Sequence, residues 1–400
     1  MKWSSCVSRA QRRAGETMKK NLRDMRPVYV VGIGLHRYQR LSETPYVTLG
    51  LTAVREALAD AALEWRSVQS AYTGTALIGM AASRPMLRHL GATGIPMAQV
   101  ENASASGSTA FRQACIDVAS GLTDVSLAVG VDKPGPIAMA PGKTRMRDLV
   151  GSRVVPFTHF ALLTQEYMTR YGVSAEQVAR VAVKNNRNGA NNPYAQRQKA
   201  VTLDEVMAGP AISGSLTRLQ CCPVGEGAAA VIVASEDAIA DLGIDRSRAV
   251  KVIASVTKTE QVYRDAKNFD AELTRETVDQ AYREADIAPG DLDLMELHDA
   301  FTIEELLYTE AMGLCAPGKA ASAIAAGDFD IGGRCAVSAS GGLLAMGHPI
   351  GPTGAGQIAE ITRQLRGEAG VRQQPNAKTG LAHMVGVGAV CVVHILQKGA

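Results

Sequence analysis

The sequence predicts an α/β fold made of two similar halves, and three observations lead there. Apolar runs of strand character alternate with helical periodicity, as in "VYVVGIG" (28–34) followed by a helical pattern over about 47–63. The alternation restarts at "VKVIASV" (250–256). The second pass then echoes the first. "RETVDQAYREADI" (275–287) resembles "TLGLTAVREALADAAL" (48–63), and "SGGLLAMGHPIGPTGAGQIAEITRQLRG" (340–367) resembles the turn and helix after Gln99.

The elements follow in order. After the first strand and helix, "SAYTGTAL" (70–77) reads as a strand. "QVENASASGSTAF" (99–111) is an apolar run with a small-residue turn leading into a helix over about 107–120, and "DVSLAVGV" (124–131) is again a strand. Residues 134–215 break the rhythm. "KPGPIAMAPGKTRMRD" is rich in Pro, Gly and basic residues, two helical stretches follow near 160–172 and 175–188, and "NGANNPYAQ" (188–196) is turn-rich. This segment is expected to be a loop-and-helix insertion over the sheet. "GEGAAAVIVAS" (225–235) returns to a strand, "DLMELHDAF" (293–301) is the strand before the second turn, and "LAHMVGVGAVCVVHIL" (381–396) supplies closing strands. The expected units are an N-terminal extension (1–26), a first half (27–248) containing the insertion, and a second half (249–400). The extension is basic and lacks periodicity. It is expected to be disordered, with Met18 and Met25 as other starts, and its lack of an apolar core argues against secretion.

The 46% hydrophobic and 20% charged content of the 400 residues are those of a soluble globular chain. A net charge of +3 is too small to point to nucleic acid or a membrane surface. No apolar stretch is long enough to span a bilayer. The seven cysteines are scattered and form no CxxC pair, so a reduced, cytoplasmic setting is expected and a disulfide framework is not.

Four loops stand where predicted strands end, which is where α/β sheets bind ligands. They hold Ser104, His298 in "HDAF", His348 in "GHPIGPTGAG", and Gly386 and Gly388 in "GVG". A side chain at Ser104 would sit over a helix N-terminus, a place suited to a nucleophile. His348 lies in a Gly/Pro loop and does not mark an apolar face. His298 has the simpler alternative of a histidine bonded to its neighbour, and the two glycines that of a tight turn. Two histidines at equivalent ends of two half-sites make a base and an oxyanion donor. "NASASG" is not a hydrolase elbow, because Asn102 and Ser106 stand where G-x-S-x-G needs glycine. A Ser104–His348–Asp299 triad can be written down but has no such support. The cysteines read as small core residues, with Cys315 and Cys391 the two to place relative to the site.

These loops together resemble the thiolase superfamily, specifically the sterol-carrier-protein-2-like thiolases. The resemblance runs from about Val28 to Leu396 through "VENASASGSTAF", "VAVKNNRNGANNPYAQ", "CCPVGEGAAAVIV", "ELHDAFTIEELLYTEAMGLC", "GGLLAMGHPIGPTGAGQIAE" and "CVVHIL". It implies duplicated βαβαβαββ halves in a layered α-β-α-β-α arrangement, a loop domain over the site, and a homodimer. It implies acyl-CoA C-acyltransfer with a coenzyme A thioester as substrate and no further cofactor or metal. Bacterial members often need a small OB-fold partner with a zinc ribbon. In relatives the turn carries an acylated Cys, and here that residue is Ser104. His348 would activate the nucleophile, His298 would bind the thioester oxygen, and Gly386 and Gly388 would supply backbone donors. Lys143, Arg145, Arg147 and Arg153 in the insertion are candidates for the CoA phosphates.

Other positions depart from the pattern. Ala300 stands where some relatives have a second Cys, Asn186 where many have His, and the final glycine loop is one residue shorter, leaving His298 or Cys391 as second proton-transfer group. Serine is also a poor substitute for cysteine, being far less acidic and forming an ester more stable than a thioester. Three readings stay open: a thiolase with its Cys exchanged for Ser, natural or engineered; a retro-aldolase on a β-hydroxyacyl-CoA with no covalent intermediate; and a non-catalytic subunit of a complex.

Overall fold

The structure is a computed structural model, and it describes residues 21–134, 156–263, 269–387 and 390–399. The first half supplies β1 (Val28–Gln39), α1 (Tyr46–Asp60), β2 (Ser70–Gly74), β3 (Met97–Val100), α2 (Ser106–Ser120) and β4 (Val125–Asp132). The insertion contributes α3 (Pro156–Tyr171) and α4 (Ala175–Ala190), and β5 (Glu226–Ser235) closes that half. The second half supplies β6 (Val250–Thr259), α5 (Phe269–Ala285), β7 (Leu294–Glu296), α6 (Thr302–Ala311) and β8 (Ala336–Val337). It ends with α7 (Gly342–Ala345), α8 (Thr353–Arg366), β9 (Thr379–Gly386) and β10 (Val390–Lys398).

The expected duplication is present in the strand order. The sheet runs β8-β7-β9-β10-β6-β1-β5-β4-β2-β3. Each half therefore lays its strands as first, fifth, fourth, second, third. In each, the first and fourth strands pair antiparallel with the fifth, and the second pairs parallel with the third and fourth. The halves join where β1 pairs β6 over Val28–Val30.

Helices α2 and α8 pack on each other and on strands of both halves. Their apolar faces form one core with Val30, Ile33, Val231 and Leu396. A second core lies under α1, and a third joins α5 and α6 to the insertion helices. The layers are thus helices, the five strands of the first half, the central helices, the five strands of the second half, and helices, the two sets of strands being continuous through the β1–β6 pairing. The third strand of each half leads into its central helix, so the Ser104 and His348 turns meet at the same end of the central layer.

Two local expectations change. The strand read as 293–301 stops at Glu296, because Phe301 bridges back to Cys221 and leaves the HDAF segment as a loop. Residues 21–26, read as part of the disordered extension, dock on the body. Arg26 donates to Val118 O at 2.9 Å and pairs with Asp124 at 2.7 Å, and Arg23 donates to Ala285 O at 3.1 Å. Among the described residues no helix is long and apolar enough to cross a membrane.

Candidate active site

The Ser104 turn is a constrained connection. Ala103 has φ +48°, and a single 3₁₀ turn (Ala103–Ala105) runs into α2. Ser106 fixes it from inside the helix, accepting from Asn102 N–H at 3.0 Å and donating to Ala103 O at 2.6 Å. Glu101 accepts Ala103 N–H at 2.5 Å. Ser104 itself is only 4% exposed.

His348 arrives from the other half. Its loop is clamped by Asp132 at the end of β4, which accepts Gly351 N–H at 2.7 Å as well as Thr75 Oγ1 at 2.6 Å and Leu77 N–H at 2.8 Å. The clamp works because the two halves touch through glycine: a Cβ on Gly107 would collide with the Gly351 carbonyl. The neutral His348 ring donates from Nδ1 to Thr353 Oγ1 at 2.9 Å, which leaves Nε2 to accept from Ser104 Oγ, also at 2.9 Å. Burial, and secondly the charge of His298, holds its pKa well below the usual histidine range. His348 is therefore a neutral base at neutral pH.

His298 stands edge-on to His348, with ring centroids 5.3 Å apart. Its Nδ1 contacts Glu304 Oε1 at 2.8 Å, and the other Glu304 oxygen accepts Phe301 N–H at 2.8 Å. Its Nε2 is buried without a hydrogen-bond partner among the described residues. That atom is free for a substrate oxygen, and Glu304 fixes the ring through Nδ1.

The structure therefore brings Ser104, His348 and His298 to one place. It does not assemble the Asp299 triad. Asp299 accepts Leu343 N–H at 2.7 Å and Asn185 Nδ2 at 2.6 Å, tying the HDAF loop to the helix before His348 and to the insertion. Asn185 also donates to Glu305 at 3.0 Å, and Lys184 Nζ lies 3.1 Å from Glu305 and 2.6 Å from Val337 O. Burial raises the pKa of both Asp299 and Glu305, and Lys184 opposes that rise. Lys184→Met leaves these carboxyls without their buried cation. It is expected to cost about 3–5 kcal/mol of stability, read as a lower urea midpoint at unchanged slope.

Gly386 ends β9, paired with Val390, and a Cβ there would collide with the Asn102 carbonyl. Its glycine is required by the close approach of the Ser104 turn. Gly388, Lys143, Arg145, Arg147 and Arg153 lie outside the described residues. Cys391 lies buried beside α5, and burial pushes its thiol up to about 12. Cys315 follows α6 near Glu310 and Arg334, pushed up to about 11, mainly by burial. Asn186 Nδ2 is turned back onto Ala182 O at 2.8 Å.

Sequence reasoning missed Thr353, Glu304, Asp132 and the Lys184–Asn185 pair. It also missed His383, whose Nδ1 accepts His298 N–H at 3.5 Å. The i+5 spacing of Thr353 and the i+6 spacing of Glu304 from their histidines were visible but match no helical or strand period. A cleft of about 910 Å³ adjoins the histidine loops, lined by Asn186, Arg197, Phe157 and Cys222 among others. Cys222 N–H donates to Ala300 O at 2.8 Å, and Phe157 packs edge-on against Phe301 with ring centroids 5.6 Å apart.

Comparison with known proteins agrees with this architecture. Residues 28–237 match the family described as "Thiolase, N-terminal domain", and residues 254–398 match "Thiolase C-terminal domain-like". The benzoylsuccinyl-CoA thiolase subunit BbsB of Thauera aromatica is 37% identical over 371 residues, covering 91% of this chain and 95% of BbsB. Human sterol carrier protein 2 is 35% identical over 402 residues, covering 94% of this chain and 72% of that protein. The solved structure of the Ltp2-ChsH2(DUF35) aldolase superposes with a TM-score of 0.78 at 24% identity, covering 93% of this chain and 98% of that one. The double match along the chain, in the order the two halves fold, shows that this protein belongs to the thiolase family.

Proposed function

We propose that the chain catalyses thiolase-type acyl transfer on acyl-CoA thioesters, with Ser104 in the nucleophile position. The observation that carries this reading is the 2.9 Å contact from Ser104 Oγ to His348 Nε2, beside the unpartnered Nε2 of His298. In the cleavage direction His348 takes the Ser104 proton as Oγ attacks the 3-keto carbon. The Cα–Cβ bond then breaks, and its electron pair passes to the thioester as an enolate. His298 donates to the enolate oxygen, and the proton held by His348 passes to Cα to complete acetyl-CoA. The acyl group is left on Ser104 as an ester; the CoA thiol gives its proton to His348 as the sulfur attacks, and that proton passes to Oγ as the ester C–O bond breaks. The large cleft against the HDAF loop is the approach for the thioester. The thiolase relative BbsB is by name a subunit. A homodimer with a small OB-fold zinc-ribbon partner is accordingly part of this proposal, as are the cytoplasmic setting and the domain boundaries.

One observation favours retro-aldol cleavage as the second reading. A hydroxyl and not a thiol stands 2.9 Å from His348 Nε2, and an ester formed on Ser104 is more stable than the CoA thioester that must release it. Cleaving a β-hydroxyacyl-CoA forms no such ester: His348 removes the hydroxyl proton, the Cα–Cβ bond breaks to a carbonyl product and an enolate whose oxygen His298 holds, and the proton on His348 passes to Cα.

Mass spectrometry separates the two. After incubation with acetoacetyl-CoA, an acetyl adduct is expected on the peptide carrying Ser104 and is expected to be absent from Ser104→Ala. A chain that cleaves a β-hydroxyacyl-CoA, forms no adduct and keeps its rate in Ser104→Ala follows the second reading.

A further inference from the structure

His348 is a base towards Ser104 only when its ring proton sits on Nδ1. Thr353 by itself does not put it there. A hydroxyl either accepts from an Nδ1–H or donates to a bare Nδ1. In the first arrangement Nε2 is free to take the Ser104 proton. In the second the proton is on Nε2, and the ring is no base towards Ser104. What decides between them is whether the Thr353 hydroxyl has another place to donate. Among the described residues its side-chain oxygen is bonded to His348 alone.

A small cavity lies beside Thr353. Its volume is about 10 Å³, near the smallest space that holds one water molecule, and every residue lining it is buried. Thr353 and Gln357 line it from α8, one helical turn apart, and Glu296 lines it from the end of β7. Gln357 donates from Nε2 to His383 O at 3.2 Å, which orients the amide and leaves its buried Oε1 without a hydrogen-bond partner among the described residues. The Glu296 carboxyl accepts Ser340 N–H at 2.8 Å on one oxygen and Ser340 Oγ–H at 2.5 Å on the other, so each oxygen keeps a further lone pair. The Tyr38 hydroxyl at the same cavity is already committed to Pro352 O at 2.9 Å. A leftover donor, a leftover acceptor and a carboxyl therefore line a space of one water, and a buried water takes two to four such partners. Burial, and then the charge of Glu360, raise the pKa of Glu296. One water serves either form of that carboxyl, donating to it when ionised and accepting from it when protonated.

We propose that a water bound in this cavity accepts from the Thr353 hydroxyl and donates to Gln357 Oε1. Gln357 and Glu296 are then positioning residues that hold His348 in its Nδ1–H form, an inference that rests on His348 being the base, as in both readings above.

Two measurements on the full chain, both made without substrate, test this. A crystal structure that resolves ordered solvent is expected to place one water within about 3 Å of both Thr353 Oγ1 and Gln357 Oε1. Nitrogen-15 NMR of ring-labelled histidine at neutral pH, with the His348 signals found by their loss in His348→Asn, is expected to show the parent's His348 as Nδ1–H. In Gln357→Met the ratio of the two neutral ring forms is expected to move about tenfold towards Nε2–H, the worth of one neutral hydrogen bond. Gln357→Glu keeps an oxygen for the water and is expected to keep the parent's ring form. A cavity with no water in the parent overturns the inference and needs no variant to fold. A Gln357→Met protein with the parent's ring form overturns it, as does a Gln357→Glu protein that shifts as Gln357→Met does. These three outcomes leave the proposed function standing. A parent His348 that carries its proton on Nε2 overturns the inference and removes the base from both readings as well.

Discussion

Ser104→Cys is expected to create or raise thiolysis of acetoacetyl-CoA or another 3-ketoacyl-CoA, by on the order of a hundredfold or more, the scale set by one positioned reactive group. The substitution changes one atom at a position already 2.9 Å from His348 Nε2. A thiol has a pKa near 8.5 and is far more acidic than a hydroxyl, so it gives its proton to His348 much more easily. A serine hydroxyl is not ionised to any useful extent under the same influence. The second half of the cycle changes as well. Acyl transfer between the introduced thiol and CoA exchanges one thioester for another, whereas release from Ser104 is uphill. Mass spectrometry should therefore show an adduct on the Ser104→Cys variant that free CoA removes quickly, and an adduct on the parent's Ser104 that CoA removes slowly. For a retro-aldolase the same substitution should leave β-hydroxyacyl-CoA cleavage within about tenfold, or 1.4 kcal/mol in the barrier. A Ser104→Cys protein that binds 3-ketoacyl-CoA yet forms no adduct and shows no thiolysis overturns the acyl-transfer reading.

His348→Asn is expected to lower turnover by about two to four orders of magnitude, roughly 3–5 kcal/mol in the barrier, under either reading. It is the one base in contact with Ser104 among the described residues, and an amide cannot take the proton. Direction in pH is fixed by burial. Because the folded-state pKa of His348 lies well below 6.5, the ring stays neutral as pH falls through 6.5 and becomes protonated only at more acid values. The acid limb of kcat/KM in the parent is accordingly expected well below pH 6.5. An acid limb at or above that value, or a His348→Asn variant within a few-fold of the parent, removes His348 from the mechanism.

The legible part of this protein lies where local chemistry repeats. The alternation of strand and helix gave the α/β class, and the second pass beginning at Val250 gave the duplication. The loops of Ser104, His298 and His348 were visible because Gly, Pro and small residues cluster where an apolar run ends. Those three side chains do meet, since equivalent turns of two similar halves must converge when the central helices pack together. Gly386 was legible as a special position, but the carbonyl of Asn102 that presses against it, far away in sequence, was not.

Other assignments needed the tertiary structure, and for one physical reason: each depends on a partner that no local period announces. The role of Asp299 was settled by Asn185 and Leu343, 114 and 44 residues away, which turn it from His348 into a brace between loops. Thr353 and Glu304 orient the two histidines through loop geometry that is neither helical nor extended. Cys391, open as an acid/base group in the sequence, packs under α5 because the sheet's two-residue alternation turns it there. The sequence alone determined which chemical groups exist and which turns can hold them; packing of the two halves decided which groups touch, and therefore which are charged, neutral or free to bind.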